Sequence, residues 1–200
     1  MQQPTLLRPE REYRRIQVYE LREAEPSDGL FVEGYALTFD QPTVLYEVDG
    51  IQYKEMIDRK ALGSTEMHDV IFNYDHAGKV MARTRNGTLA LNTDERGLFI
   101  RARLDGTEEG RRLYEEIKGG YIDRMSFSFA VSSEQYDKKD RMRIITGIRR
   151  LYDVSAVSIP AYDTTSIQAR SFLKAEADRE RKALESADLR QRLYLRTYTI

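Results

Sequence analysis

The sequence predicts a mainly β fold with a few helices, arranged as a closed or nearly closed antiparallel β-barrel. In several short segments, apolar and polar residues alternate with the period of two that is typical of strands. Short turns rich in glycine, asparagine and aspartate separate these segments, and few stretches have the composition of a helix. Because strands that follow one another through short turns usually pair with each other, a barrel is the expected architecture.

The first part of the chain contains a predicted arm, two strands and an irregular region. Residues 1–13 show no periodic pattern, and we expect them to form a flexible arm. Residues 13–21 and 30–39 alternate as strands and are separated by the turn sequence Pro-Ser-Asp-Gly at residues 26–29. Residues 54–67 have apolar spacing that favours one or two short helices.

A three-stranded meander is predicted next. A short apolar run precedes a loop that contains His76, and further alternating segments follow on both sides of Asn86-Gly87. This dipeptide favours a two-residue hairpin turn because both of its positions tolerate positive φ. The apolar run is residues 70–72, and the three strands of the meander are residues 80–85, 88–92 and 98–104.

The clearest helix prediction is residues 107–118. Thr107 is a suitable N-cap, Glu108 and Glu109 suit the positive end of the helix dipole, and Gly119-Gly120 ends the pattern. The strands predicted after it are residues 125–132, 143–146 and 149–159.

The composition changes near residue 170. Residues 174–192 are highly charged, rich in helix formers and free of glycine and proline, which predicts a solvated helix or a partly disordered tail. The domain organisation expected is therefore an arm at 1–13, a β domain at 14–170 and a charged tail at 171–200.

Composition excludes several classes of function. The net charge of −1 gives no overall electrostatic footprint for nucleic acid, although it leaves a local basic patch open, and no apolar run is long enough to span a bilayer. The N-terminus lacks a signal peptide, which favours the cytosol. With no cysteine and two histidines, a thiol nucleophile is excluded and a catalytic zinc site is disfavoured, so we expect no metal and no cofactor.

Ser126 and His76 are the first candidates for catalysis. A serine nucleophile needs a base to take its proton, and histidine serves best near neutral pH. Taken alone, each of these two residues has a simpler explanation in which it plays no part in catalysis. Ser126 lies on a small polar strand face, and His76 lies in a loop where histidines are often only exposed. Residue pattern alone leaves both explanations open.

Asp153 is the third candidate. It lies in a strand of otherwise mostly apolar or small residues, where a carboxylate needs a hydrogen-bond or charge partner. A structural arginine, such as Arg149 or Arg150, would satisfy it. The imidazole of His76 would also do so, in which case the carboxylate would fix the histidine tautomer.

Three blocks of the sequence carry a resemblance that links these candidates. Residues 72–89 contain a loop histidine, His76, then Ala-Arg-Thr and Gly-Thr-Leu, and residues 94–98 continue the match. Residues 124–129 read Arg-Met-Ser-Phe-Ser-Phe, and residues 151–162 read Leu-Tyr-Asp-Val-Ser-Ala-Val-Ser-Ile-Pro-Ala-Tyr. Over about residues 28–170, the chain resembles the prohead maturation serine proteases of tailed phages (HK97 type).

The resemblance implies a β-barrel like that of the herpesvirus assemblins and a catalytic triad. It assigns Ser126 as nucleophile and His76 as base. Asp153 stands where the family usually has glutamate and would orient His76. Assemblins use a second histidine as third member, but this chain has none after Ser126, so the third member must be acidic or absent. Backbone N–H groups, with Arg149 or Arg150, would hold the oxyanion.

The resemblance also implies substrates and partners. These are the scaffolding region of the major capsid protein or a separate scaffold protein, and the protease itself. We expect a homodimer or higher oligomer, with neither nucleic acid nor membrane as partner. It would act in the bacterial host cytoplasm, inside the assembling procapsid, and the protein can be encoded by a phage or by a prophage. The alternative is a non-catalytic β-barrel that binds scaffold or capsid protein. A third interpretation is an unrelated sheet domain with coincidental motifs.

Overall fold

The computed structural model describes residues 11–16, 22–23, 29–158 and 167–197. Three predictions lie partly outside these residues. They concern residues 1–10 of the predicted arm, residues 17–21 of the predicted strand at 13–21, and residues 26–28 of the predicted turn at 26–29. The domain boundaries expected at residues 13 and 170 stay predictions.

Two α-helices and eleven strands form the described structure. The helices are α1 (Glu108–Lys118) and α2 (Ile167–Thr197). The strands are β1 (Glu12–Ile16), β2 (Arg22–Glu23), β3 (Phe31–Thr38), β4 (Thr43–Val48), β5 (Ile51–Ile57), β6 (Ile71–Tyr74), β7 (Ala77–Arg83), β8 (Leu89–Thr93), β9 (Gly97–Arg103), β10 (Arg124–Asp137) and β11 (Met142–Val157).

The strands form two sheets. The larger sheet has the order β1-β10-β11-β5-β4, and β6 pairs with both β11 and β7. The smaller sheet has the order β2-β3-β9-β8. β11 pairs in parallel with two strands, with β5 along Met142 to Ile145 and with β6 along Asp153 to Ala156. The larger sheet is therefore mixed.

The predicted closed or nearly closed antiparallel barrel is wrong. It assumed that sequential strands pair with each other, but the 16 residues of β11 offer one edge to two separate strands that run in its own direction. Within the described residues the larger sheet ends at β1, β4 and β7, and the smaller sheet ends at β2 and β8, so neither sheet closes. The fold is mainly β with two helices and mixed sheets.

Two local predictions also fail. The helices predicted at residues 54–67 are replaced by the end of β5 and a run of turns. Asn86-Gly87 does not join a hairpin, because β7 pairs with β6 while β8 pairs with β9. Gly87, with a φ of 73°, instead ends a short 3₁₀ turn.

Helix α1 confirms the prediction made for it. Thr107 has an extended backbone, and its Oγ1 accepts a hydrogen bond from the backbone N–H of Gly110 at 2.9 Å. Leu113 and Ile117 on one face are buried, and Gly119 ends the helix. The amphipathic pattern and the cap together explain why this segment is helical.

The main core contains side chains from both sheets and from α1. Alternating residues of β3 and β9, such as Val32 and Ile100, meet Phe127, Phe129 and other apolar residues of the larger sheet. The opposite face of β10 is consequently free to carry polar groups, and the candidate site lies there.

Helix α2 packs through its N-terminal half in a second, smaller cluster. Leu173 and Ala177 pack with Tyr53, and Glu180 accepts hydrogen bonds from Tyr53 Oη at 3.0 Å and from Arg141 Nε at 2.9 Å. Residues 181–194 of this helix are exposed. Neither described helix combines the length and apolar character needed to cross a membrane.

Candidate active site

Ser126 lies in the middle strand of a three-strand ladder, on the face of β10 that points away from the main core. It is paired with Ser155 of β11 on one side and with Arg15 of β1 on the other. Two residues along, Ser128 is paired with Asp153. Because side chains alternate along a strand, the side chains of Ser126, Ser128, Asp153 and Ser155 share this face.

His76 reaches this face from a two-residue turn between β6 and β7. Both turn residues have left-handed backbones, with φ of 46° at Asp75 and 58° at His76. Such a turn matches the twist of the flanking strands, although glycine or asparagine usually occupies it. The Asp75 N–H donates to the carbonyl of Ala156 at 2.9 Å, and its carboxylate accepts from Ser158, which fixes the turn against β11.

The three predicted residues form a continuous hydrogen-bonded chain. His76 Nε2 lies 2.6 Å from Ser126 Oγ, and His76 Nδ1 lies 2.5 Å from Asp153 Oδ1. Because a carboxylate can only accept, Nδ1 carries the proton and Nε2 is left to accept from the serine hydroxyl. The structure therefore brings Ser126, His76 and Asp153 together in the arrangement of a serine hydrolase triad.

Asp153 is fully buried and held at both oxygens. Oδ1 faces His76 and also lies 3.0 Å from the Ser155 hydroxyl, while Oδ2 accepts from Ser128 Oγ at 2.8 Å and from Arg11 Nη2. Burial opposes ionisation, but the hydrogen bond and charge of His76, assisted by Ser128 and Arg11, outweigh it and lower the pKa of Asp153. The carboxylate is thus ionised at neutral pH.

The two predicted oxyanion residues, Arg149 and Arg150, lie elsewhere. Arg150 is paired with Ala130, five positions along β11 from Ser155, which corresponds to roughly 16 Å of strand. Its guanidinium binds Glu66 at 3.3 Å and stacks on Tyr152, while Arg149 is exposed. Neither arginine is brought to Ser126, so the structure gives their predicted role no support.

Several residues at the site escaped the sequence predictions. Ser128 and Ser155 each lie two positions from a predicted residue, so the period of two along a strand could have identified them. Arg11 and Tyr13 come from the region assigned to a flexible arm. Nothing in the sequence indicates that β1 pairs with β10, more than a hundred residues away.

The site has the groups needed for acyl transfer. Among the described residues, no group of three or more histidine, aspartate or glutamate side chains could hold a metal ion. What the site offers is a hydroxyl, an imidazole that can take its proton, and a buried carboxylate to stabilise the resulting imidazolium.

Comparisons with known proteins identify a family. The family model described as caudovirus prohead serine protease matches residues 17–179, which is most of the chain. A search of curated proteins found no match. Among solved structures, the bacteriophage T4 capsid assembly protease, gp21, superposes with a TM-score of 0.49 at 17% identity, covering 77% of this chain and 100% of that chain.

Proposed function

The chain belongs to the caudovirus prohead serine protease family, and from this premise we propose that it is a serine endopeptidase acting through Ser126, His76 and Asp153. The observation that carries the proposal is the pair of hydrogen bonds made by His76, at 2.6 Å to Ser126 Oγ and at 2.5 Å to Asp153 Oδ1. Both distances lie within or just below the range expected of a nucleophile, its base and the group that orients the base.

In the proposed reaction, Ser126 Oγ attacks the carbonyl carbon of the scissile peptide bond while its proton passes to His76 Nε2. A tetrahedral oxyanion forms, and His76 returns the proton to the leaving amine as the C–N bond breaks. Water then repeats the sequence on the acyl-enzyme, and His76 serves again as base. Asp153 keeps the proton of Nδ1 in place and stabilises the imidazolium in both steps.

The oxyanion is assigned to backbone N–H groups rather than to an arginine. Arg149 and Arg150 are left out because neither lies near Ser126. Backbone donors at the edge of β10 are suitable because they are held rigidly by the sheet and need no reorganisation when charge develops.

The proposed substrates are capsid proteins. Family membership favours the scaffolding region of the major capsid protein or a separate scaffold protein, and the chain itself, as targets inside the assembling procapsid in the host. A homodimer or higher oligomer acting without cofactor is part of the same proposal.

Co-production with the phage's major capsid protein tests the proposal. Wild type should shorten the capsid protein and itself, whereas Ser126→Ala should leave both at full length, since removing a triad member costs on the order of 10⁴ or more in rate. Ser132→Ala is the matched control, because Ser132 is an exposed serine of the same strand. Intact capsid protein with wild type would favour the alternative, a non-catalytic assembly protein.

A further inference from the structure

The proposed nucleophile is inaccessible in this structure. The relative exposure of Ser126 and of Asp153 is 0%, and that of the His76 side chain is 13%. A peptide carbonyl must approach Ser126 Oγ closely before it can be attacked, so an enzyme in this state cannot bind its substrate productively. Whatever covers Ser126 therefore controls the reaction.

The cover is strand β1. Its residues pair antiparallel with β10 from Glu12 opposite Phe129 to Ile16 opposite Met125, and Arg15 lies directly opposite Ser126. An extended substrate that added itself to this edge of β10 would occupy the same position, because strand addition uses the backbone groups of an exposed edge. With β1 in place, those groups are already paired.

The backbone of β1 also competes for the proton of the nucleophile. Ser126 Oγ lies 2.8 Å from the carbonyl oxygen of Arg14 and 2.6 Å from His76 Nε2. A hydroxyl has one proton to donate, so a hydrogen bond to Arg14 withdraws it from the base. The carbonyl group that β1 places beside Ser126 therefore accepts the hydroxyl's hydrogen bond through its oxygen and is not positioned for attack at its carbon.

Tyr13 of β1 and Arg11, the residue before this strand, contact the other two triad members. The ring of Tyr13 packs edge-on against His76, with centroids 4.8 Å apart. Arg11 binds Asp153 Oδ2 and also donates to Ser128 at 2.6 Å. Its positive charge offsets the carboxylate that would otherwise stabilise a protonated His76, so Arg11 opposes proton transfer.

Buried ion pairs anchor β1, which itself carries one negative and one positive member of the cluster. Glu12 and Arg14 point to the other side of the strand and join a buried cluster with Glu55 and Arg143. Because Arg143 Nη1 also binds Glu55 directly at 2.7 Å, the cluster keeps an ion pair when β1 departs with one charge of each sign. Leaving a buried charge unpaired is the usual obstacle to such a movement, and here it does not arise.

β1 also precedes residue 17, the first residue matched by the family model. We propose that β1 is an autoinhibitory strand, docked on the edge of β10 as a substitute for substrate, and that it must leave this edge before Ser126 can act. This inference rests on the proposed protease function.

The first test compares Arg15→Pro with Arg15→Ala in the full chain. Proline fixes φ near −65° and so disfavours the extended backbone that β1 needs for pairing, whereas alanine removes the same side chain without this constraint. The readout is covalent labelling of Ser126 by a small fluorophosphonate. We expect labelling of Arg15→Pro to be about tenfold or more faster than that of wild type, with Arg15→Ala close to wild type. Ser126→Ala in the Arg15→Pro background should not be labelled at this site.

The second test fixes β1 in place and does not depend on the folding of a proline variant. The natural chain has no cysteine, so Ile16→Cys with Met125→Cys, at directly opposed positions, introduces one removable cross-link. Labelling of the oxidised double variant should fall well below that of wild type, and reduction should restore it. Each single-cysteine variant controls for the substitutions and should respond to neither treatment.

The outcomes separate the two proposals. If Ser126 is labelled equally fast in wild type and in Arg15→Pro, and equally in the oxidised and reduced double variant, β1 is not a cover, while the protease proposal stands. If Ser126 is not labelled in any variant, and none shortens the capsid protein, the protease function fails and the inference fails with it.

Discussion

His76 is the residue on which the geometry of the site depends most. Its left-handed backbone, with a φ of 58°, is uncommon for a residue other than glycine or asparagine, and such strained positions cluster at functional sites. The anchoring of Asp75 to Ala156 and Ser158 holds the turn in this form. From this turn both imidazole nitrogens meet a partner, one on β10 and one on β11.

Asp153→Asn tests the role of the carboxylate. An amide at this position would present no negative charge and would favour the wrong tautomer of His76, so we expect kcat/KM on a capsid-protein substrate to fall by about 10⁴. The measurement pairs this rate with the thermal unfolding midpoint, to show that the fold survives. Nearly normal turnover in a folded variant would remove Asp153 from the mechanism.

Ser128→Ala tests a positioning role for the second serine of this face. Its hydroxyl donates to Asp153 Oδ2 at 2.8 Å and helps to lower the pKa of Asp153. We expect kcat to fall by roughly tenfold with little change in KM, since about one net hydrogen bond to a charged group is lost. Ser128→Thr keeps the hydroxyl and should restore most of the rate. Equal rates for the alanine variant and wild type would contradict this role.

At the residue scale, the three proposed catalytic residues were identified by three family motifs in order, not by the alternation of apolar and polar residues. Residue pattern alone favoured simpler explanations for Ser126 and His76, and motif order linked them to Asp153. The oxyanion arginines could not be judged, because their distance from Ser126 depends on the register between β10 and β11. Arg11 could not be found, because its contacts depend on the long-range pairing of β1.

At the scale of elements, buried charges explain one failed prediction. Along β5, Tyr53, Glu55 and Ile57 are buried on one face, a regular strand pattern, but a glutamate there indicates an exposed position when only the sequence is read. Glu55 is buried because Arg14 and Arg143 neutralise it. Only the tertiary structure supplies those partners, whereas the sequence alone offers the apolar spacing of Met56, Ile57, Leu62 and Met67, which favours short helices.

The other failed element prediction concerns hairpins. Asn86-Gly87 has strong hairpin chemistry, but β7 is already paired with β6 through the turn at His76. Local turn preference cannot decide between two partners for one strand, because the choice depends on the whole sheet. Where no competing partner exists, as in α1 with its Thr107 cap, local chemistry predicted the element correctly.

Gly97→Ala tests the close contact between β3 and β9. A Cβ at this position would lie 1.9 Å from the carbonyl oxygen of Leu37, which is backbone and cannot move aside cheaply. We expect the free energy of unfolding to fall by about 2–3 kcal/mol in urea titrations. Gly106→Ala is the control, because a Cβ there meets nothing within 4 Å. Equal midpoints for the two variants would show that the strands separate easily.

At the scale of the whole molecule, the fold joins distant parts of the chain around one polar face. β1, β6, β10 and β11 all contribute to it, and β11 is central because it pairs with β10 along one edge and with β5 and β6 along the other. The sequence predicted a mainly β chain, but it could not predict the parallel pairing that prevents closure. That pairing links segments separated by long intervening stretches, for which no local pattern exists.

Acid should destabilise the molecule through its buried carboxylates. Burial opposes ionisation of Glu12, but Arg143 and Arg14 outweigh it and lower its pKa below the ordinary value of 4.5. The pKa of Asp153 is lowered as well. A lowered folded-state pKa contributes stability that is present above the unfolded-state pKa and is lost as the pH falls through the folded-state value.

We therefore expect urea midpoints that are nearly constant from about pH 7 to pH 5 and fall steeply below about pH 4. Glu12→Gln should be less stable at pH 7 and should lose less stability on acidification, because one of the shifted groups is gone. An unchanged pH dependence in Glu12→Gln would show that the charge cluster around β1 does not contribute to acid unfolding.

The central claim, that His76 activates Ser126 for attack on an acyl group, is tested most directly by mapping the fluorophosphonate adduct by mass spectrometry in the Arg15→Pro chain, where the site is expected to be open. We predict an adduct on the peptide that contains Ser126 and its loss in the same chain with His76→Ala. An adduct on another serine, or one on Ser126 that forms equally fast without His76, would contradict the claim.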